Sequence, residues 1–340
     1  MSAALISLAI DAMSGDGGAA ACVPGAVRAL RLDPDLKLLL VGRTADIEQQ
    51  LAAQPDANVL HDRYRIVEAP EVITMEDKPR DAIRHRKHSS MRVAIDLVKS
   101  AEAAGAVSAG NTGALTAVSH FVLKCLPRVE RAPIMSSLPA AHGFTHMLDL
   151  GANTLATPTQ LRQFAVMGSI VARDVHGIDN PRVGLLNIGS EELKGHELVQ
   201  LAHAQLKDCR GIRYIGFVEG NDIFNGRVDV VVTDGFTGNI ALKSLEGLAN
   251  LIRARLKEGF TANVGAKLAG LLARPVLRRV AESLDPRRYN GAVMVGLSGV
   301  VVKSHGSADA LAFAQAIGVA KLAAARGLIQ HIAQAEELAA

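Results

Sequence analysis

Aromatic side chains are nearly missing. The 340 residues hold no tryptophan, three tyrosines and eight phenylalanines. Single-stranded nucleic acids are held on aromatic stacking platforms, and this chain has little to build one with. Charge of one sign is also lacking: 37 basic against 34 acidic residues leave a formal +3. No nucleic-acid partner is expected from that balance, although basic clusters exist locally. The three cysteines, Cys22, Cys125 and Cys209, lie far apart and form no CxxC pair. They imply neither a disulfide framework nor a zinc site, and they fit a reducing cytoplasm. No apolar run has spanning length, and the N-terminus shows no export signal. The P-loop pattern, the G-x-S-x-G nucleophile elbow and HExxH are all absent, so no ATP-binding loop, signalled serine nucleophile or metal is expected.

What is present is a repeated grammar of short apolar run, glycine-rich turn and helical pattern. "ALISLAI" (4–10), "KLLLVG" (37–42), "AGAVSAG", "HMLDLGAN", "RVGLLNIG", "RYIGFVEG" and "VDVVVTDG" read as strands or strand ends. Ser89 or Ser90 is placed to cap a helix whose Met91, Ala94, Ile95 and Val98 share one face. Thr157-Pro158 starts another helix, with Gly177 at its end. Pro24 is expected early in the first helix, and the tail from Ala308 is Ala-rich and helical. Alternating strands and helices imply an α/β fold with a mainly parallel sheet covered on both faces, as one domain or two lobes. Ligands in such folds sit beyond the carboxyl ends of strands, which are expected to converge on one rim.

Gly15, Gly17 and Ala20 satisfy G-x-G-x-x-A, with Asp33 and Asp35 downstream. A dinucleotide site needs the glycine turn to open directly into a helix, and Pro24 puts the expected helix start too late. His85 and His88, and His142 and His146, have ligand-like spacings but read better as surface or loop histidines. The stronger signal is for an anion. "NIGSEELKG" leaves a strand and gathers Asn187, Ser190 and Lys194 around glycines that free backbone donors. Asn111 with Thr112, and Thr237, Gly238 and Asn239, stand where helices begin, and Lys303 adds charge at another strand end. Any one of these loops alone reads equally well as an ordinary turn with a capping residue.

These residues sit in stretches that resemble the acyl-acyl carrier protein:phosphate acyltransferase family of bacterial phospholipid synthesis. The stretches include "AIDAMSGD", "SSMRVAIDLVK", "SAGNTGAL", "LDLGAN", "RVGLLNIGSEELKG", "VDVVVTDGFTGNIALKSLEG" and "GLSGVVVKSHGSADA", in the family's order from residue 9 to about 315. One departure is that the family usually reads DAMGGD followed by His, where this chain has Ser14 and Gly17. The resemblance implies a Rossmann-like α/β/α sandwich similar to phosphotransacetylases, a homodimer and no cofactor. It implies that inorganic phosphate attacks the thioester of a long-chain acyl-acyl carrier protein, giving acyl phosphate for a membrane glycerol-3-phosphate acyltransferase. A phosphotransacetylase using acyl-coenzyme A and a non-catalytic carrier-binding scaffold are the alternatives. Lys194, Asn111, Asn239 and His305 are the expected catalytic residues, with His305 either a base or a positioning group. Asp11, Asn187, Ser190, Thr237, Gly238, Lys303 and Ser304 are expected to bind substrate.

Two further expectations concern surfaces. "RHRKHSSMR" gathers Arg84, Arg86, Lys87 and Arg92, a candidate dock for an acidic carrier or else a solvated basic loop. In residues 259–285, Phe260, Val264, Leu268, Leu271 and Leu272 recur at helical spacing. Pro275 is expected to break or kink the helix before Leu277, Val280 and Leu284 resume the stripe. Such pieces are too short to span a bilayer but suit its interface, which would place the protein peripherally on the inner face of the cell membrane. Core or dimer packing is the other reading.

Overall fold

The computed structural model describes residues 5–283 and 285–338, so Leu284 lies outside the described residues. The apolar runs became strands β1 (Ile6–Asp11), β2 (Leu36–Gly42), β3 (Tyr64–Glu68), β4 (Gly105–Ser108), β5 (Ile134–Pro139), β6 (Phe144–Leu148), β7 (Arg182–Leu186), β8 (Arg213–Val218), β9 (Val230–Val232), β10 (Ala292–Met294) and β11 (Val300–Lys303). Between them lie α1 (Ala19–Leu32), α2 (Thr44–Ala52), α3 (Pro79–His85), α4 (Ser90–Lys99), α5 (Thr112–Leu123), α6 (Pro158–Asp174), α7 (Glu197–Lys207), α8 (Asp222–Asn225), α9 (Gly235–Thr261) and α10 (Val264–Ser283). Helices α11 (Ala310–Ala325) and α12 (Leu328–Leu338) close the chain described.

The strands form one sheet in the order β3-β2-β1-β4-β11-β10-β5-β6-β9-β7-β8. Two parallel blocks, β3 to β11 and β6 to β8, flank β10 and β5. The steps β11–β10, β10–β5 and β5–β6 are antiparallel. Three reversals make the two blocks run in opposite directions. The register pairs Lys303 with Ala292, Val293 with Met135 and Ser136 with Met147, which brings the end of β11 level with the end of β6. The carboxyl ends of the two blocks, one edge each, thus face each other across the middle of the sheet instead of lining the one straight rim expected. Central strands are buried on both faces, with Leu8, Ile10, Val107, Val230 and Val302 inaccessible, as expected for a sheet covered by helices.

Local signals explain most helix starts. Ser89 caps α4, Asn111 caps α5, and Thr157 with Gln160 forms a reciprocal capping box on α6. Two prolines behave differently from expectation. Helix α1 opens at Ala19, directly after Gly18, and carries Pro24 inside it. Burial of Cys22, Val23, Ala26, Val27 and Leu30 holds the helix despite the lost donor. Pro275 likewise sits within α10, which runs unbroken. The carbonyl left without a partner there belongs to exposed Leu271, where water can take the bond.

Helices α9 and α10 form a hairpin that leaves the body. Leu248, Leu251, Ile252 and Leu256 on α9 are exposed, as are Val264, Leu268, Leu271 and Leu272 on α10. Phe260 and Leu277 are half-buried, and Phe260 rests against Gly270 across the hairpin. Among the described residues no single helix is long and apolar enough to cross a membrane. The bent pair α11–α12 meets that test only jointly, and its Phe313, Ile317, Ala320, Leu328 and Ile332 are buried in the core.

Candidate functional site

At the first edge the register sets Ser108 beside Lys303, with Asp11 on the next strand. Ser108 Oγ donates to Asp11 Oδ2 at 2.6 Å, and Gly110 N donates to Ser108 Oγ at 3.1 Å. Ser14 Oγ donates to the Asp11 carbonyl and accepts from Ala109 N. Asp11 is wholly buried and its Oδ1 has no partner. Burial raises its carboxyl above the usual range, against the pull of its serine neighbours. Lys303 is nine-tenths buried, and its Nζ donates to the carbonyls of Ala109 (3.4 Å) and Ser304. Burial, and then the nearby Lys243 charge, bring it down to about 8. Buried Ser304 accepts from Asn290, while His305 is exposed and bonded to Ser307. Asn111 has little freedom for chemistry: its Oδ1 caps Ala114 N and its Nδ2 donates to Met75 O at 2.7 Å.

The glycine turn after β1 belongs to this edge. Gly15 has φ +79, and a Cβ there would lie 2.7 Å from Gly306 O and 2.9 Å from Ala109 Cβ. The turn is thus pressed against the loops after β4 and β11, and Asp16 N donates to Gly306 O. The helix does follow directly, contrary to expectation, but the turn packs on protein where a pyrophosphate would need room.

At the second edge the loop after β6 meets the loop after β9. Asp149 is buried and gathers five donors: Ile134 N, Gly151 N and Ala152 N on Oδ1, Asn153 N and Asn153 Nδ2 on Oδ2. Burial raises its carboxyl as well. Gly238 packs so closely that a Cβ would sit 1.9 Å from the Asp149 carbonyl oxygen. This contact and the bond from Gly235 N to Asn153 O fix where α9 begins. Asp234 caps α9 through Thr237 N and also accepts from the Thr237 hydroxyl, so Thr237 is engaged locally. Asn239 is exposed on the next turn, alongside Gly151.

The loop after β7 is more open. Buried Asn187 braces it, donating to Lys194 O at 3.0 Å and accepting from Ile188 N. Ser190 and Lys194 are exposed, as are Ile188 and Leu193 beside them. The structure therefore divides the expected site residues. Asp11, Asn111, Lys303, Ser304 and His305 stand at one edge, and Asn187, Ser190, Lys194, Thr237, Gly238 and Asn239 at the other.

Helix α9 joins the two groups. Asn239, Lys243 and Glu246 follow at i, i+4 and i+7, one face of the helix, about 10 Å from end to end. Lys243 Nζ pairs with Glu246 at 2.8 Å, and Glu246 lies 3.8 Å from His305 Nε2. Lys243, Glu246, Ser14, Ser108 and Asp149 were not among the expected residues. The helical spacing from Asn239 was a legible pointer to the first two, and the strand-end position of Asp149 in "LDLGAN" to the last.

Beside the first edge lies the basic segment. Arg84 and Lys87 are exposed, and Arg86 is half-buried with Asp77 at 3.7 Å. Pro79 packs 3.1 Å from a Cβ built on Gly113 at the start of α5. Arg92 pairs with Asp96 on α4. Of the four spaced histidines, His146 corrects the surface reading. It is buried in β6, stacked on His176 at 4.0 Å and bonded to Ser137, and burial drives it down to about 3. A neutral ring in a central strand serves packing. Among the described residues no group of three His, Cys, Asp or Glu side chains is placed to hold a metal.

Comparison with known proteins agrees with this architecture. A solved phosphotransacetylase from Streptococcus pyogenes superposes with a TM-score of 0.61, covering 94% of each chain at 16% identity. That likeness establishes a phosphotransacetylase-like fold. A curated phosphate acyltransferase from Halorhodospira halophila is 49% identical over 325 residues, 95% of this chain and 94% of the relative. One from Alkalilimnicola ehrlichii is also 49% identical, over 97% of this chain and 95% of its own. The profile of the family described as fatty acid synthesis protein matches residues 6–331. The chain belongs to that family, the one that its phosphate acyltransferase relatives share.

Proposed function

We propose that this protein transfers a long-chain acyl group from the thioester of an acyl carrier protein to inorganic phosphate. The near-full-length identity to curated phosphate acyltransferases carries this reading. A phosphate oxygen attacks the thioester carbonyl carbon, the C–O bond forms, and the C–S bond breaks. The sulfur leaves as a thiolate and takes a proton from solvent. Phosphate is already an anionic nucleophile at neutral pH, so the protein needs to supply position and charge compensation. Exposed Lys194 and Asn239 with Ser190 are suited to both, braced by Asn187 and by the α9 start. Exposed Leu155, Ile188, Leu193, Phe236 and Ile240 offer apolar surface on the same loops for the acyl chain.

The same reading gives the α9–α10 hairpin a place. Its exposed leucines, with Arg274, Arg278 and Arg279 near them, suit an anionic membrane surface. An amphiphilic acyl phosphate is best released there, toward a membrane glycerol-3-phosphate acyltransferase. A homodimer remains part of this proposal.

The test is an assay with matched acyl-carrier and acyl-coenzyme A donors. It reads free thiol and the acyl hydroxamate formed on trapping with hydroxylamine. Phosphate-dependent hydroxamate from the carrier donor is the expected result. Product from coenzyme A alone would make the protein a phosphotransacetylase, and carrier binding without product would make it a scaffold.

A further inference from the structure

Lys303 is a buried cation without an ion-pair partner among the described residues. Among the described residues no carboxylate lies within salt-bridge distance of it, and its Nζ meets two carbonyls. An ammonium has three protons to donate, so one remains for another acceptor. The charged groups around it are few. Asp11 lies beneath, with one oxygen on Ser108 and the other unpartnered. Asp16 stands at the rim, and His305 and Glu246 lie on the α9 side. Lys243, paired with Glu246, stands on the stretch of α9 that meets the loop after β11 through Glu246 and His305, and its charge acts on Lys303. Two ammonium groups thus share the space between the loop after β11 and α9. Burying one of them is costly until an anion arrives. Asp11 opposes such an anion less than an ordinary carboxylate would, because burial favours its neutral form.

We propose that Lys303 and Lys243 bind the phosphodiester of the donor's pantetheine arm, separately from the inorganic phosphate held near Lys194. The inference rests on the acyl-carrier reading above. A phosphodiester is a monoanion with two free oxygens, one for each ammonium. Position supports the assignment. The start of α5, where Asn111 holds Met75 and Gly113 meets Pro79, ties this edge to the segment carrying Arg84, Arg86 and Lys87. An acidic carrier docked there would enter its arm past Lys303 and Lys243. The arm is a pseudo-peptide of about four residue lengths, roughly 14 Å when extended. Asn239 and Glu246 are separated by about 10 Å along α9, within that reach. The phosphodiester then rests at one end of this helix face and the thioester at the other.

The experiment measures binding of 4′-phosphopantetheine, pantetheine and inorganic phosphate to the full-length protein by calorimetry. Steady-state kinetics with acyl-phosphopantetheine and acyl-pantetheine accompany it. The unmodified protein is expected to favour the phosphorylated arm at least about tenfold, as a charge-assisted contact should. Lys243→Ala and Lys303→Met should each reduce that preference to about twofold or less while phosphate affinity stays with Lys194. Lys243 is exposed, so its variant keeps the test valid if Lys303→Met fails to fold. Two outcomes overturn the proposal: no preference for the phosphorylated arm, or loss of inorganic phosphate binding in both lysine variants. The acyl-transfer reading is judged separately. If arm binding depends on both lysines but acyl-carrier donors give no product, the site stands and that reading falls.

Discussion

The loops after β6 and β7 leave neighbouring parts of the same sheet edge, and both are rich in glycine and asparagine. One is closed and the other open. Residues 149–153 turn their amides inward onto the buried Asp149 carboxylate, and their Asn153 side chain joins them. Residues 187–195 have Asn187 and Gly189 inside, and they raise Ser190, Leu193 and Lys194 into solvent. A glycine-rich strand end is therefore not in itself an anion cradle. Where a buried carboxylate takes the amides, the loop is a structural clamp, and here it fixes the start of α9. Where no such acceptor exists, the donors remain for a ligand. The loop after β6 orders the site, while that after β7 faces the substrate.

The sharpest way to break this contrast is Asp149→Ala. Five hydrogen bonds lose their acceptor, and an unsatisfied buried donor costs about 1–3 kcal/mol. Partial hydration of the loop softens the sum, so a loss of about 4 kcal/mol is expected, about 6 °C in thermal midpoint for a chain of this length. Asp149→Asn keeps one acceptor oxygen and should lose roughly half of that. A midpoint within a degree or two of the original would show that the amides were not held by this carboxylate.

Lys194→Ala should act in the opposite manner. The side chain is exposed, so stability should shift by no more than about 0.5 kcal/mol. Catalytic efficiency should fall by about 3 kcal/mol, on the order of a hundredfold, if it compensates charge in the transition state. Near-normal kinetics would remove it from the reacting centre. Unfolding of this variant would instead show the open loop to be structural, and the contrast would be lost.

Acid should weaken the closed side. His146 in β6 and its stacking partner His176 are pushed down by burial, to about 3 and about 4. Both remain neutral in the folded chain, while the unfolded chain takes up protons as pH falls below its ordinary histidine range. Stability contributed by the neutral rings is thus complete above about 6.5 and declines from there toward pH 4 and 3. Denaturation midpoints across that window should show a loss on the order of 2 kcal/mol that His146→Gln reduces. An identical slope in the variant would move its origin to the carboxylates.

How much of this was legible beforehand depends on distance along the chain. Caps at Ser89, Asn111 and Thr157 were readable because each acts within three residues. The direction of the second sheet block was not. It follows from pairing Val293 with Met135 and Ser136 with Met147, and no local pattern records the first of these. The same limit applies to the site. Ser108 meets Asp11 across 97 positions, and Lys303 meets Ala109 across 194. Glycine and asparagine at strand ends mark candidate ligand loops, but Asp149 decides which loop is free. Pro24 lies deeper in α1 than expected and Pro275 does not end α10, because packing in α1, and solvent around α10, outweigh one lost backbone bond.

The smallest expected effect on catalysis tests the hairpin. Leu268 and Leu272 stand one turn apart on α10 and are 60% and 76% exposed. Leu268→Glu with Leu272→Glu should cost less than about 1 kcal/mol, since little apolar surface leaves a packed environment. The pair also places two acids on a face that, with Arg274 and Arg278 nearby, suits anionic headgroups. Vesicles containing anionic lipid should bind the original protein and lose the variant, while transfer to phosphate from a soluble donor persists. This outcome would extend the contrast of the two loops to a larger scale, a packed body that orders chemistry and an exposed element that meets a partner. If the variant loses several kcal/mol or its oligomeric state, these leucines are covered in solution by a second copy of the chain. If it folds and still binds vesicles, the membrane contact belongs to another surface.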